Sequence, residues 1–327
     1  MSGAGHSFPR ASELAVGCGG CHANELRAPR GQALLFFVSL LVDGMLAGAV
    51  YAPIALAFVV VYKASRMINF ALGEWVMVAS RLVATGLSAL GLGLTGALGF
   101  ACAGMAALGL LFNRVVLRRL VGQPLISLIM VTLGAGALLR GSAVFVFSGV
   151  PGGIRLSIPH EPLVLHGVPV AADKLFAATI ALACVAVVGL FFRLSRTGVA
   201  LRALADDQQA AMAVGIDIHR YFSITWTMVG ALSVCAGVLW AQVSGGGFGM
   251  VLVGLKVFPI VIIGGLDSIP GTLVGGVAVG VLESLASGYV DPLVGGGFGT
   301  IASYLVLIAV LFVRPYGMFG RPAIERV

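Results

Sequence analysis

Leu34–Tyr62, LLFFVSLLVDGMLAGAVYAPIALAFVVVY, runs for 29 residues with one charged side chain, Asp43. A bilayer core of roughly 30 Å is crossed by about 20 apolar residues in a helix, so this run alone is long enough to span one. Eight further apolar runs follow, at 70–90, 92–113, 120–146, 175–192, 221–243, 252–264, 272–287 and 300–313. The expected fold is therefore all-α, a polytopic transmembrane helical bundle of about eight or nine spans, the weaker of them re-entrant or broken helices. Residues 1–33 are expected to be a disordered N-terminal extension. Residues 34–327 form one membrane domain, with 192–220 a polar loop inside it.

Composition points the same way. Hydrophobic residues make up 59% of the chain and charged ones 10%, at a mean hydropathy of +1.06, whereas soluble domains are about a quarter charged. The net charge of +7 forms no basic face for nucleic acid, because the cations sit in short clusters between apolar runs. If spans alternate, one side receives Lys63, Arg66, Arg114, Arg118, Arg119, Arg193, Arg196, Arg202, Arg220, Arg314, Arg321 and Arg326. The loops of the other side hold only Arg155 and Lys174. Positive charge concentrates on the cytoplasmic side of membrane proteins, so the first side, with the C-terminus, is expected in the cytoplasm. Nine spans would place the N-terminus outside, against the pull of Arg10, Arg27 and Arg30. An even count, through a kink in the first run or a re-entrant later segment, removes that conflict.

One polar loop stands apart from the rest: Arg193–Arg220, RLSRTGVALRALADDQQAAMAVGIDIHR. Residues 200–214 are rich in Ala and free of Pro and Gly, which favours helix, and Gly215 stands where a C-terminal cap belongs. Val199, Ala203, Asp206 and Ala210 recur at spacings of three and four, giving one face of small side chains that could enter a partner's groove. A membrane protein without its own energy source needs a place where one can push, and this loop is the candidate. A solvated connecting helix is the plainer reading.

An ionisable group near mid-bilayer costs roughly 2.5–3.5 kcal/mol on insertion scales. Asp43, Glu74, Arg81, Arg140, Lys256, Asp267 and Glu283 therefore each need a partner, a cavity or an interfacial position. Asn69, Glu74, Arg140, Lys256 and Glu283 are candidates for lining a substrate path, with structural pairing or snorkelling as the alternative. Asn69 and Glu74 could equally cap the second helix. Glu74 and Arg81, seven residues apart, share a helical face but can meet only through an intermediary. Gly271, Gly275, Gly276 and Gly280 fall at small-xxx-small spacing in one apolar run, which allows close helix packing.

Several chemistries are excluded. All five histidines lie outside the apolar runs, which argues against a proton relay. No phosphate-binding loop, Ser/His/Asp set or H-E-x-x-H helix occurs, so the chain is not expected to be an enzyme, to bind a metal or to carry a cofactor. ATP, if used, is hydrolysed by another chain. Cys102, Cys184 and Cys235 lie in apolar runs and read as small hydrophobes. Cys18-Gly-Gly-Cys21-His22 matches the pattern for covalent c-type haem attachment, although some 30 flanking residues cannot supply a haem pocket. Residues 1–33 do not read as a signal peptide.

Four stretches, in order, bear a family resemblance. They are 67–74 (MINFALGE); Ser195-Arg196-Thr197-Gly198 through Ala205-Asp206 to Gly215-Ile216; 264–271 (GGLDSIPG); and 320–327 (GRPAIERV). The chain resembles the permease subunits of branched-chain amino acid ABC importers over residues 35–327. That resemblance implies a homo- or heterodimeric permease core, two cytoplasmic ABC ATPase subunits and a periplasmic solute-binding protein. It also implies a coupling segment at 196–219, where Arg196, Gly198, Arg202, Ala205, Asp206, Asp207 and Gly215 would meet the ATPase. Leu72 stands where the family commonly has His and Asp267 where it has Gly, and residues 1–33 have no counterpart. The same architecture also serves urea, short amides and other small solutes; a membrane-anchored haem or redox protein is the remote alternative.

Overall fold

The computed structural model describes residues 30–120, 123–154, 163–165, 168–314 and 317–320. The chain opens with α1, Arg30–Ser65, 36 residues that stay helical through Pro53. Then come α2 (Leu72–Ser88), α3 (Leu94–Phe112), a π-helical stretch at Asn113–Leu117, the single turn α4 (Arg118–Leu120) and α5 (Leu125–Val146). Beyond α5, β1 (Leu163–Leu165) and β2 (Val168–Val170) pair antiparallel, Val164 opposite Pro169. The chain continues through α6 (Ala172–Leu194), α7 (Arg196–Asp206), α8 (Gln208–Ala213) and α9 (Ile218–Ser244). After a 3-10 turn at Phe248–Met250 follow α10 (Val251–Gly264), α11 (Ile269–Tyr289), α12 (Asp291–Val294) and α13 (Phe298–Val313).

Helices dominate because a bilayer offers no partner for a free backbone N–H or C=O. Among the described residues six helices are long and apolar enough to cross a membrane, and two shorter apolar ones lie at Phe248–Gly264 and Phe298–Val313. The remaining apolar run forms α2, whose 17 residues include Glu74 and Arg81 and are mostly buried. Large side chains on the outer helices face outward, among them Leu138, Phe145 and Phe312, as they do where lipid replaces water.

Close packing follows the glycines. A methyl group built on Gly44 would lie 2.6 Å from Val281 Cα, and one on Gly276 would lie 2.6 Å from the Gly48 carbonyl oxygen. Gly44-xxx-Gly48 of α1 thus faces Gly276-xxx-Gly280 of α11, backbone against backbone. Gly271 and Gly275 use the other side of α11 and press on Gly264 and Ile260 of α10. The bundle centre is aromatic: Trp226 of α9 lies 5.0 Å from Trp75 of α2 and 4.6 Å from Phe112 of α3, measured between ring centroids.

The helix ends sort onto two faces. Lys63, Arg66, Arg193, Arg202, Asp267 and Phe319 share one cavity of about 360 Å³, gathering the ends of α1 and α6, the start of α11 and the segment after α13. At the opposite end Lys174 Nζ lies 2.6 Å from Asp43 Oδ1, and Arg81 reaches the chain beyond α5.

Candidate functional site

The connection between α1 and α2 does not stay at the membrane surface. A methyl built on Gly136 would touch Ala71 Cβ at 3.3 Å and Glu74 Cδ at 3.2 Å. Gly136 lies about 16 Å into α5 at 1.5 Å per residue, halfway along that helix, so α2 begins near mid-bundle. Residues 66–71 therefore carry largely irregular backbone to membrane depth, which is tolerated only where protein or a water-filled path surrounds it. Asn69 sits in this stretch, 1% exposed. Its Oδ1 accepts from Ala71 N at 3.0 Å while its buried Nδ2 has no hydrogen-bond partner among the described residues. Thr132 Oγ1 of α5 accepts from Phe70 N at 3.3 Å, and the Phe70 ring stacks on Phe258 of α10, 4.7 Å between centroids.

Beyond this break the interior carries two charged groupings. Glu74 is buried and pairs with Arg140 Nη2 at 2.5 Å, joining α2 to α5. Glu74 and Arg81 do not share an intermediary; each reaches a different part of the bundle. The second grouping centres on Glu283 of α11. Its Oε2 accepts from Tyr51 Oη at 3.0 Å and its Oε1 from Ser303 Oγ at 3.0 Å, while Lys256 Nζ lies 3.4 Å from Oε1. Four helices thus converge on one carboxylate. Two hydroxyls and an ammonium satisfy most of its acceptor capacity, which lowers the cost of holding it in the bundle. Tyr51 and Ser303 are not legible in the sequence, because a lone hydroxyl in an apolar run carries no pattern.

The 192–220 segment folds against the basic end of the bundle. Ser195 caps α7 by accepting from Gly198 N at 2.8 Å, and a methyl on the buried Gly198 would lie 2.6 Å from Phe192 Cα. The turn from α6 into α7 is that tight. The single helix expected over 200–214 is instead two, because Asp207 adopts an extended conformation and caps α8, its Oδ1 accepting from Gln209 N at 2.9 Å and Ala210 N at 3.0 Å. An Asp side chain competes with the helix for backbone N–H groups, and here it wins. Gly215, at φ +88°, ends α8 with Gly215 N donating to the Met212 carbonyl and Ile216 N to the Ala211 carbonyl, both at 3.0 Å. Leu201 and Leu204 are buried, while Val199, Ala203, Asp206 and Ala210 are exposed. The expected face of small side chains is a free face of two helices.

Arg66 joins this segment to α1. Its backbone is left-handed, φ +54°, a conformation costing roughly 1–2 kcal/mol for a non-glycine residue. Its Nε donates to the Ala205 carbonyl at 2.8 Å, and its Nη2 lies 3.9 Å from Asp206 Oδ1. Arg202 lines the neighbouring cavity, and Arg196 opens α7, exposed. Cys18, Cys21, His22 and residues 321–327 lie outside the described residues.

Residues 40–314 match the family model described as the permease component of the branched-chain amino acid transport system. The permease LivH of a high-affinity branched-chain amino acid transport system from Salmonella typhimurium is 30% identical over 321 residues, covering 90% of this chain and 99% of its own length. LivH of Escherichia coli K12 is 29% identical with the same coverage. BraD of Pseudomonas aeruginosa is 28% identical, covering 89% of this chain and 98% of itself. Among solved structures, an inward-facing metal-chelate type ABC transporter covers 88% of this chain and 98% of its own at 16% identity and a TM-score of 0.48, too distant to add weight. A multi-pass helical bundle matched over 40–314 by one family model, and over nearly the whole length of those relatives, belongs to the branched-chain amino acid transport permease family.

Proposed function

We propose that this chain is the gated pore of an ATP-driven importer for branched-chain or related small amino acids, working in a bacterial inner membrane with its basic face and C-terminus in the cytoplasm. The observation that carries this reading is the family match across 40–314. It also favours amino acid import over urea or amide import and over a haem-bearing redox role. The chain pairs with a second permease subunit, its own copy or a sister. Two ATPase subunits supply the nucleotide chemistry, and a periplasmic binding protein delivers the solute.

Arg196, Gly198, Arg202, Ala205, Asp206, Asp207 and Gly215 form or brace the surface on which an ATPase would press. Force on α7 would pass through the Arg66 clamp into α1, and α1 carries Tyr51 into the Glu283–Lys256 cluster. One continuous helix thus connects the pushed surface to the interior charges, so a switch between outward and inward access would disturb both. Asn69, Glu74, Arg140, Lys256 and Glu283 are the polar lining of the path in this reading. Labelled leucine and labelled urea, offered to vesicles containing the whole complex, test it: ATP-dependent accumulation of leucine supports amino acid import, and accumulation of urea alone refutes it.

A further inference from the structure

One buried cation is left over after the interior charges are matched. Arg140 has Glu74, Lys256 has Glu283 and Lys174 has Asp43. Arg81 of α2, 4% exposed, is in no ion pair among the described residues. Its Nη1 donates to the Val150 carbonyl at 3.0 Å, its guanidinium carbon lies 4.1 Å from the Phe248 ring centroid, and its Nε is buried with no hydrogen-bond partner among the described residues. A buried charge without a counter-ion is strongly destabilising, and an ionisable side chain inside a membrane bundle points to function.

The cover over Arg81 is jointed. Phe248 follows Gly245 and Gly247, at φ +80° and +125°, values that suit glycine and allow this chain to re-orient. Val150 lies two residues before Gly152, whose carbonyl presses on Gly246, so both halves of the cover meet at the end of the bundle opposite the basic face.

We propose that Arg81 is the anchor for the carboxylate of the transported amino acid. Resting on the import reading above, this places the anchor in the half of the path that substrate enters first. A guanidinium receives a carboxylate through Nε and a neighbouring Nη as a two-pronged pair. The Val150 carbonyl and the Phe248 ring hold the group when the site is closed. A substrate carboxylate supplies the missing negative charge once the glycine-jointed cover moves aside.

The test uses the assembled importer with its ATPases and binding protein. Uptake of leucine by the wild-type complex tests the import reading separately. In a complex that passes, Arg81→Gln is expected to lower leucine uptake about tenfold or more, as removal of one charge-assisted hydrogen bond does, at equal amounts of assembled complex. Arg81→Lys replaces it if the Gln variant fails to assemble. Phe248→Cys, in a chain lacking its other cysteines, then reports occupancy: leucine is expected to slow labelling of that thiol by a small maleimide, leucinamide is not, and Arg81→Gln or Arg81→Lys is expected to weaken the protection. A purely structural Arg81 would not distinguish the acid from the amide. Uptake within twofold of wild type in the Arg81 variant, or equal or absent protection by the two ligands, overturns the assignment.

Discussion

Glu74 and Arg140 differ in exposure, and the difference decides which substitution hurts. The Glu74 side chain is 7% exposed and that of Arg140 55%. Removing the arginine strands a carboxylate in the bundle, whereas removing the glutamate leaves a guanidinium that can still find water or a headgroup. Arg140→Gln is therefore expected to destabilise the protein by about 1–3 kcal/mol, more than Glu74→Gln, and the double variant should recover part of the loss. Thermal unfolding midpoints in detergent check the order; a larger loss from Glu74→Gln would contradict it. The Tyr51–Glu283–Lys256 cluster follows the same logic. There Glu283→Gln keeps the acceptor of the Tyr51 hydroxyl but strands Lys256, so uptake is expected to fall while the folded protein persists. Both charged pairs stand out in the sequence as needing partners, because charges are rare in such runs. The hydroxyl partners of Glu283 do not, since Tyr51 and Ser303 are brought in by other helices.

At the scale of helices, Asp206 and Asp207 are neighbours with different duties. Asp207 caps α8, and Asn caps as well as Asp. Asp207→Asn is thus expected to leave uptake near wild type, while Asp207→Ala costs about 1 kcal/mol in local helix stability and lowers uptake. Asp206→Lys confronts Arg66 with a like charge at an exposed pair; stability should shift by well under 1 kcal/mol, yet ATP-dependent uptake should drop sharply. Measuring uptake and membrane insertion for the three variants separates a cap from a docking residue. The run of helix-favouring residues over 200–214 is readable in the sequence and Gly215 marks its end, but the break is not. Asp207 prevails over the helical tendency of its neighbours by offering backbone N–H groups a second acceptor. Glycines follow a related pattern. Gly276→Val, pressed against the Gly48 backbone, is expected to abolish folding, whereas Gly99→Ala, with nothing within 4 Å, should be neutral or slightly stabilising. Spacing alone points to Gly271, Gly275, Gly276 and Gly280. Only the structure divides them between α10 and α1 and shows the matching Gly44-xxx-Gly48.

Taken whole, the molecule is a two-faced bundle in which a basic end bearing α7 is linked by α1 to charges near mid-depth. The nine apolar runs are legible because lipid imposes a length on each helix. The inward displacement of α2 is not, because the run at 70–90 looks like any other span until Gly136 and Thr132 of α5 fix its depth. In the proposed reading, the work of transport comes from the two ATPase subunits. Charge reversal at Asp206, or removal of 200–214, is expected to abolish ATP-dependent uptake without preventing insertion. The most direct measurement is entry of labelled leucine into sealed vesicles holding the permease core alone, or the core with its ATPases, binding protein and ATP. Accumulation is expected only with the full set; equilibration of leucine through the core alone, unaltered by ATPases and ATP, would contradict a pore that others drive.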